Sequence, residues 1–165
     1  MTVTHVEKHF DTLTMTVTAE FDGTVDRVWQ LYADPRKLER WWGPPTYPAT
    51  FTEHDLTPGS VCTYFMTGPE GNRSHGWWKV LDVEAPRRFT VQDGFGESPD
   101  QAPADMPTMR MTVELHELDG GRTRAVILSE FASVEQIQQL LDMGMEEGLK
   151  AAMGQMDDVL TSIPA

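Results

Sequence analysis

The sequence predicts an α+β fold, a curved antiparallel sheet of about six or seven strands wrapped around a long C-terminal helix, with a short helical segment after the first strand. Three features carry this expectation. Apolar and polar residues alternate with a period of two through most of the chain, short turn-rich stretches separate these segments, and the last part switches to helical spacing. Parallel strands need crossovers longer than these connections, so the strands should pair antiparallel.

The first strand is expected over 12–21, TLTMTVTAEF, with Leu13, Met15, Val17 and Ala19 on one face and Thr14, Thr16, Thr18 and Glu20 on the other. Asp22-Gly23-Thr24 then supplies a turn and an N-cap. Val25, Val28, Trp29, Leu31 and Tyr32 recur at helical spacing until Asp34-Pro35 breaks it. A second helical turn is expected over 35–42. Further strands follow at 49–56, 60–67, 74–84 and 88–93, divided by LTPG, GPEGN and EAPRR. The stretch 94–107, GFGESPDQAPADMP, reads as a long surface loop. A hairpin of TMRMTVELHEL and TRAVILSEF follows, turning at Asp119-Gly120-Gly121.

Ser133 can cap one long last helix, with Gln136 completing the capping box. Its apolar face would carry Ile137, Leu140, Leu141, Met145, Leu149, Ala152, Met156, Val159, Leu160 and Ile163. No other element is long enough to cover the sheet, and a bent sheet gripping one helix encloses space between them. The 165 residues are expected to form a single domain, 1–165, with its core over about 12–162.

Charge and composition exclude several function classes. Thirteen basic residues face 26 acidic ones, a net charge of -13, which repels nucleic-acid phosphates and anionic bilayers. The opening MTVTHVEKHFDTL lacks the apolar core of a secretory signal, and the longest apolar run is Ala125 to Leu128. A cytoplasmic location without membrane insertion is expected. Cys62 is the single cysteine, so there is no internal disulfide and no CxxC metal motif. The histidines His5, His9, His54, His75 and His116 are scattered, and nucleotide-binding and nucleophile-elbow motifs are absent from the sequence. Neither a metal nor a cofactor is expected.

Several stretches together carry a family resemblance: FDGTVDRVWQLYADPRKLERWWGP, LTPGSVCTYFMTGPEG, WWKVLDVEAPRRFTVQDGF and MGMEEGLKAAMGQMDDVL. The chain resembles the START-like (SRPBCC) helix-grip superfamily, in the branch named after the activator of the heat-shock protein 90 ATPase. The superfamily includes lipid and hormone carriers, cyclases and aromatases, and oxygenase domains, so one fold hosts several chemistries. The resemblance implies a cavity between sheet and helix that takes a small hydrophobic or amphipathic molecule. It leaves open a cyclase, dehydratase or hydrolase activity in the same cavity, a contact with a chaperone ATPase, and a homodimer.

Candidate cavity residues follow from alternation and from the resemblance. They are Trp41, Trp42, Phe51, Cys62, Tyr64, Met66, Trp78, Phe95, Met109, Met111, Met145 and Leu149. Adjacent residues leaving a helical turn point about 100° apart, so one of Trp41 and Trp42 is expected in the core and the other at the cavity border. The methionines suit a pocket of adaptable shape. Gly144 and Gly148 each cost the last helix about 1 kcal/mol relative to alanine, which asks for a close approach or a lined space in return. Tyr64, His75, Arg110 and Glu130 are the candidate polar anchors, on strand alternation alone. Catalytic residues are not assigned.

Overall fold

Alternation decides which face of each central strand meets the core. The computed structural model describes residues 3–96 and 108–162. Its strands are β1 Val3–His9, β2 Thr14–Phe21, β3 Ala49–Glu53, β4 Val61–Thr67, β5 Arg73–Glu84, β6 Arg88–Phe95, β7 Met109–Leu118 and β8 Arg122–Glu130. They form one eight-stranded sheet in the order β1-β2-β8-β7-β6-β5-β4-β3, and every neighbouring pair is antiparallel. In β2 the buried residues are Met15, Val17, Ala19 and Phe21, and in β8 they are Thr123, Ala125, Ile127 and Ser129.

Strand β1 is the element the sequence did not announce. It pairs along β2 from Val3↔Ala19 to His9↔Thr14, yet only Val3 and Val6 pack on the core. An edge strand with one partner and one thin apolar row shows little periodicity. His5 and His9 both reach Glu7, at 2.8 and 3.2 Å, and hold its carboxyl below the usual range.

The helical segment after β2 is two helices, α1 Val25–Ala33 and α2 Pro35–Leu38. The Thr24 hydroxyl accepts from the Arg27 N–H at 3.3 Å to start α1, and Asp34 accepts from the Arg36 N–H at 2.9 Å to start α2. α1 buries Val25, Val28, Trp29, Leu31 and Tyr32. Trp41 follows α2 with 1% of its surface exposed, and its indole N–H donates to the Leu31 carbonyl at 2.8 Å. The chain then doubles back so tightly that a Cβ at Gly43 would lie 2.0 Å from the Tyr47 carbonyl oxygen.

The C-terminal part is three helices rather than one: α3 Val134–Asp142, α4 Met145–Met153 and α5 Met156–Ser162. Gly144 has φ 87°, a left-handed conformation that ends α3, and a second interruption falls at Gly154-Gln155. Ser133 does cap α3, accepting from the Gln136 N–H at 3.1 Å. Gln155, in the second break, donates to the Gly43 carbonyl at 2.7 Å and so ties the helices to the turn after Trp42. Lys8 joins β1 to α4 through Glu146 at 2.7 Å. Among the described residues no helix is long and apolar enough to cross a membrane. The end of the expected helix at Ile163 and most of the expected loop over 94–107, Met106 included, lie outside the described residues.

Trp41 and Trp42 should respond differently to truncation. Trp41→Ala opens a closed part of the core and is expected to cost about 3–5 kcal/mol in urea unfolding. Trp42→Ala, whose ring has open space on one side, is expected to cost less.

Candidate functional site

Between the inner face of the sheet and helices α3 and α4 lies a cavity of about 300 Å³. β2 contributes Met15, β4 Tyr64 and Met66, β6 Asp93, Gly94 and Phe95, β7 Met109 and Met111, and β8 Ser129. Leu140, Met143, Gly144, Met145, Gly148 and Leu149 close it from the helix side, with Trp42 and Pro44 at one end. Met145 and Leu149 are partly buried: they pack against the edge of the core and also line this space. A Cβ added at Gly148 would meet nothing within 4 Å. The glycine therefore leaves room at the cavity wall.

The cavity gathers Trp42, Tyr64, Met66, Phe95, Met109, Met111, Met145 and Leu149 of the residues expected from the sequence. Trp41, Phe51, Cys62 and Trp78 do not line it. They are buried at 2% exposure or less in the packed half of the interior, where Trp78 lies edge-on to Trp42 with ring centroids 4.8 Å apart. Trp77 is buried as well, on the opposite face of β5 from Trp78; its indole N–H donates to the Phe95 carbonyl at 3.0 Å.

Three of the four expected anchors are corrected by the same alternation that placed the rest. His75 pairs with Phe65, the neighbour of inward-facing Tyr64, and its ring lies 5.9 Å from Phe65 on the outer face. Arg110 falls between Met109 and Met111, which line the cavity, and is exposed. Glu130 follows cavity-lining Ser129 and pairs with Arg110. Tyr64 alone of the four reaches the cavity.

The polar group that sequence reasoning missed is Asp93. Phe89, Val91, Asp93 and Phe95 alternate along β6, so the apolar residues before and after it signal that Asp93 points inward. The Tyr64 hydroxyl donates to Asp93 Oδ1 at 3.3 Å, and the Gly94 backbone N–H also donates to the carboxyl. Removal from water pushes the Asp93 carboxyl up to about 7 despite these two donors. Burial and the neighbouring Asp93 charge push the Tyr64 hydroxyl well above its ordinary value, so it stays a donor. The Trp42 indole N–H acts on the Tyr64 oxygen but makes no hydrogen bond of ordinary geometry. Tyr64 is held by contact: its ring lies across Gly76, where a Cβ would come within 2.5 Å of it. Among the described residues no three His, Cys, Asp or Glu side chains come together as a metal site.

A curved antiparallel sheet closed by C-terminal helices over an apolar cavity defines a helix-grip protein of the START-like class. The sequence matches the family described as activator of Hsp90 ATPase homolog 1-like protein over residues 22–161, and the chain belongs to that family. Among solved structures it is similar to protein Ms6760 from Mycobacterium smegmatis, with 47% identity, TM-score 0.88 and 99% of each chain covered. A protein from Arthrobacter aurescens is also 47% identical, with TM-score 0.91 over 99% of this chain and 94% of that one. A Staphylococcus epidermidis protein at 24% identity shares the fold, with TM-score 0.82 over 98% and 97% of the two chains. No curated protein matches the chain.

An acid whose folded pKa lies above its unfolded value of about 3.9 favours folding while protonated, and that benefit is lost as pH rises from about 4 through about 7. Asp93→Asn is therefore expected to stabilise the fold at alkaline pH by up to about 4 kcal/mol, the linkage of a carboxyl moved by about three units, with the gain vanishing near pH 4. Thermal unfolding followed across that range checks it.

Proposed function

We propose that this protein binds a small hydrophobic or amphipathic molecule in the cavity between the sheet and helices α3 and α4. The observation that carries the reading is the cavity's make-up: a space of about 300 Å³ walled by methionine, leucine and aromatic side chains around one polar pair, Tyr64 and Asp93. That volume lies at the lower end of small-molecule pockets, and the pattern of apolar walls with a few convergent polar groups is the one such sites use. Burial of ligand apolar surface supplies the driving force at roughly 25 cal/mol per Å². Tyr64 and Asp93 orient the ligand, and the methionines adapt to its outline.

A second reading, an enzyme of the cyclase, dehydratase or hydrolase kind, rests on Asp93 rather than on His75, Arg110 or Glu130. A carboxyl brought up to about 7 beside a cavity suits proton transfer near neutral pH. It requires that a bound molecule be converted, and that Asp93→Asn end the conversion while sparing binding.

The binding reading is tested by native mass spectrometry of the purified protein and by titration with the neutral fluorescent probe N-phenylnaphthylamine. Gly148→Leu fills the space at the cavity wall while improving the helix propensity of α4 by about 1 kcal/mol. It is expected to weaken probe binding at least tenfold with an unchanged or higher melting temperature. A wild-type protein that carries no co-purifying molecule and ignores the probe would overturn the reading.

A further inference from the structure

We infer that the cavity's ligand is a hydrophobic amine, with its ammonium seated on the Asp93 carboxylate beside the ring of Trp42 and its apolar body among the methionines. The inference rests on the binding reading above and adds the ligand's chemical class.

Its ground is an imbalance of charge. Among the described residues, the side chains lining the cavity include one acid, Asp93, and no lysine, arginine or histidine. The donors to the carboxyl, the Tyr64 hydroxyl and the Gly94 N–H, are both neutral. Charged groups on the surrounding elements point elsewhere. Arg110 of β7 and Glu130 of β8 follow the outward alternation, and Lys150 of α4 is engaged with Glu146 at 3.0 Å, which also holds Lys8. On β4 and β5 the titratable neighbours differ in kind: Tyr64 faces the cavity, whereas His75 and Lys79 flank the inward-facing Gly76, Trp78 and Val80. The stretch 97–107 contains no lysine, arginine or histidine in its sequence. Among the described residues an ionised Asp93 thus has no counter-ion in the cavity wall, and a charge removed from water in this way is costly until a cation meets it.

The surroundings suit a cation in two further ways. Trp42 and Tyr64 both line the cavity, with ring centroids 6.1 Å apart, and aromatic faces attract ammonium groups once water is excluded. The chain's net charge of -13 draws cations and repels anions at a distance. A carboxylate ligand would bring a second negative charge against Asp93, and an alcohol would leave the ionised carboxyl uncompensated.

Calorimetric titration with three probes sharing one apolar body tests this: naphthylethylamine, naphthylethanol and naphthylacetate. At about pH 8 the amine, an ammonium with pKa about 10, is expected to bind at least tenfold tighter than the alcohol, and the acid weakest. Between about pH 5 and pH 8 amine affinity is expected to rise up to about a hundredfold, following ionisation of a carboxyl with pKa about 7, while the alcohol does not follow that rise. Asp93→Asn is expected to bring the amine down to the alcohol's affinity. If that variant does not fold, the wild-type pH profile decides. Alcohol or acid binding as tightly as the amine, or an amine affinity indifferent to pH, overturns the amine inference and leaves the binding reading standing. Failure of all three probes to bind overturns both.

Discussion

Trp42 divides the interior, and the rest of the structure is arranged around that division. On one side its ring joins a run of edge-on aromatic contacts, Tyr32 to Trp41 at 5.0 Å, Trp41 to Trp42 at 5.6 Å and Trp42 to Trp78 at 4.8 Å, with Phe51 and Phe89 filling in behind. Edge-to-face rings pack densely and each buries a large area. On the other side the same ring is a wall of the cavity. The division depends on where the chain turns after Trp42. Gly43 allows the backbone to double back, and Gln155 fastens that turn to the C-terminal helices. The helices, the turn and the sheet therefore share one anchor point, placed at the cavity's end.

What keeps the other half open is the shape of the cover. A continuous apolar helix laid on a curved sheet would press its side chains into the concavity. Here Gly144 bends the cover between α3 and α4, and Gly148 presents no side chain to the space. The longer residues around the opening are largely methionines, whose unbranched chains leave the cavity's outline adjustable. Gly148, inside α4, costs helix stability, and its return is room, since a Cβ there would meet nothing within 4 Å. Gly144 supplies the left-handed conformation at the bend, which glycine adopts most readily.

How much of this the sequence disclosed follows from how each part is encoded. The central strands and the inward rows of β2, β4 and β7 were legible, because a buried face imposes strict alternation. The family resemblance supplied the cavity, which no periodicity could. Strand β1 was not legible: Val3 and Val6 are a thin apolar row on an edge strand. The breaks in the last helix were marked by Gly144 and Gly154, but the apolar spacing ran on through both, and spacing outweighed the glycines. Three of the four polar anchors differ for another reason. Strand alternation alone placed His75, Arg110 and Glu130, and its phase is set by their neighbours: Met109 and Met111 on either side of Arg110 line the cavity and assign Arg110 to the outside. Asp93 was overlooked among Phe89, Val91 and Phe95, where the same rule pointed inward.

Asp93 is the residue whose identity packing does not explain. Asparagine would accept the Tyr64 hydroxyl's hydrogen bond in the same geometry and occupy nearly the same volume, without any penalty for ionisation. Aspartate instead places an acid in an apolar cavity, where removal from water pushes it up to about 7. The surroundings do not relieve that strain: the donors reaching it are neutral, and Gly76 is small so that the Tyr64 ring can lie where it does. A fold that only needed to fill this space would gain by discarding the charge. The charge is thus what distinguishes the site from a defect in packing, and none of the described side chains that line the cavity is a cation able to meet it.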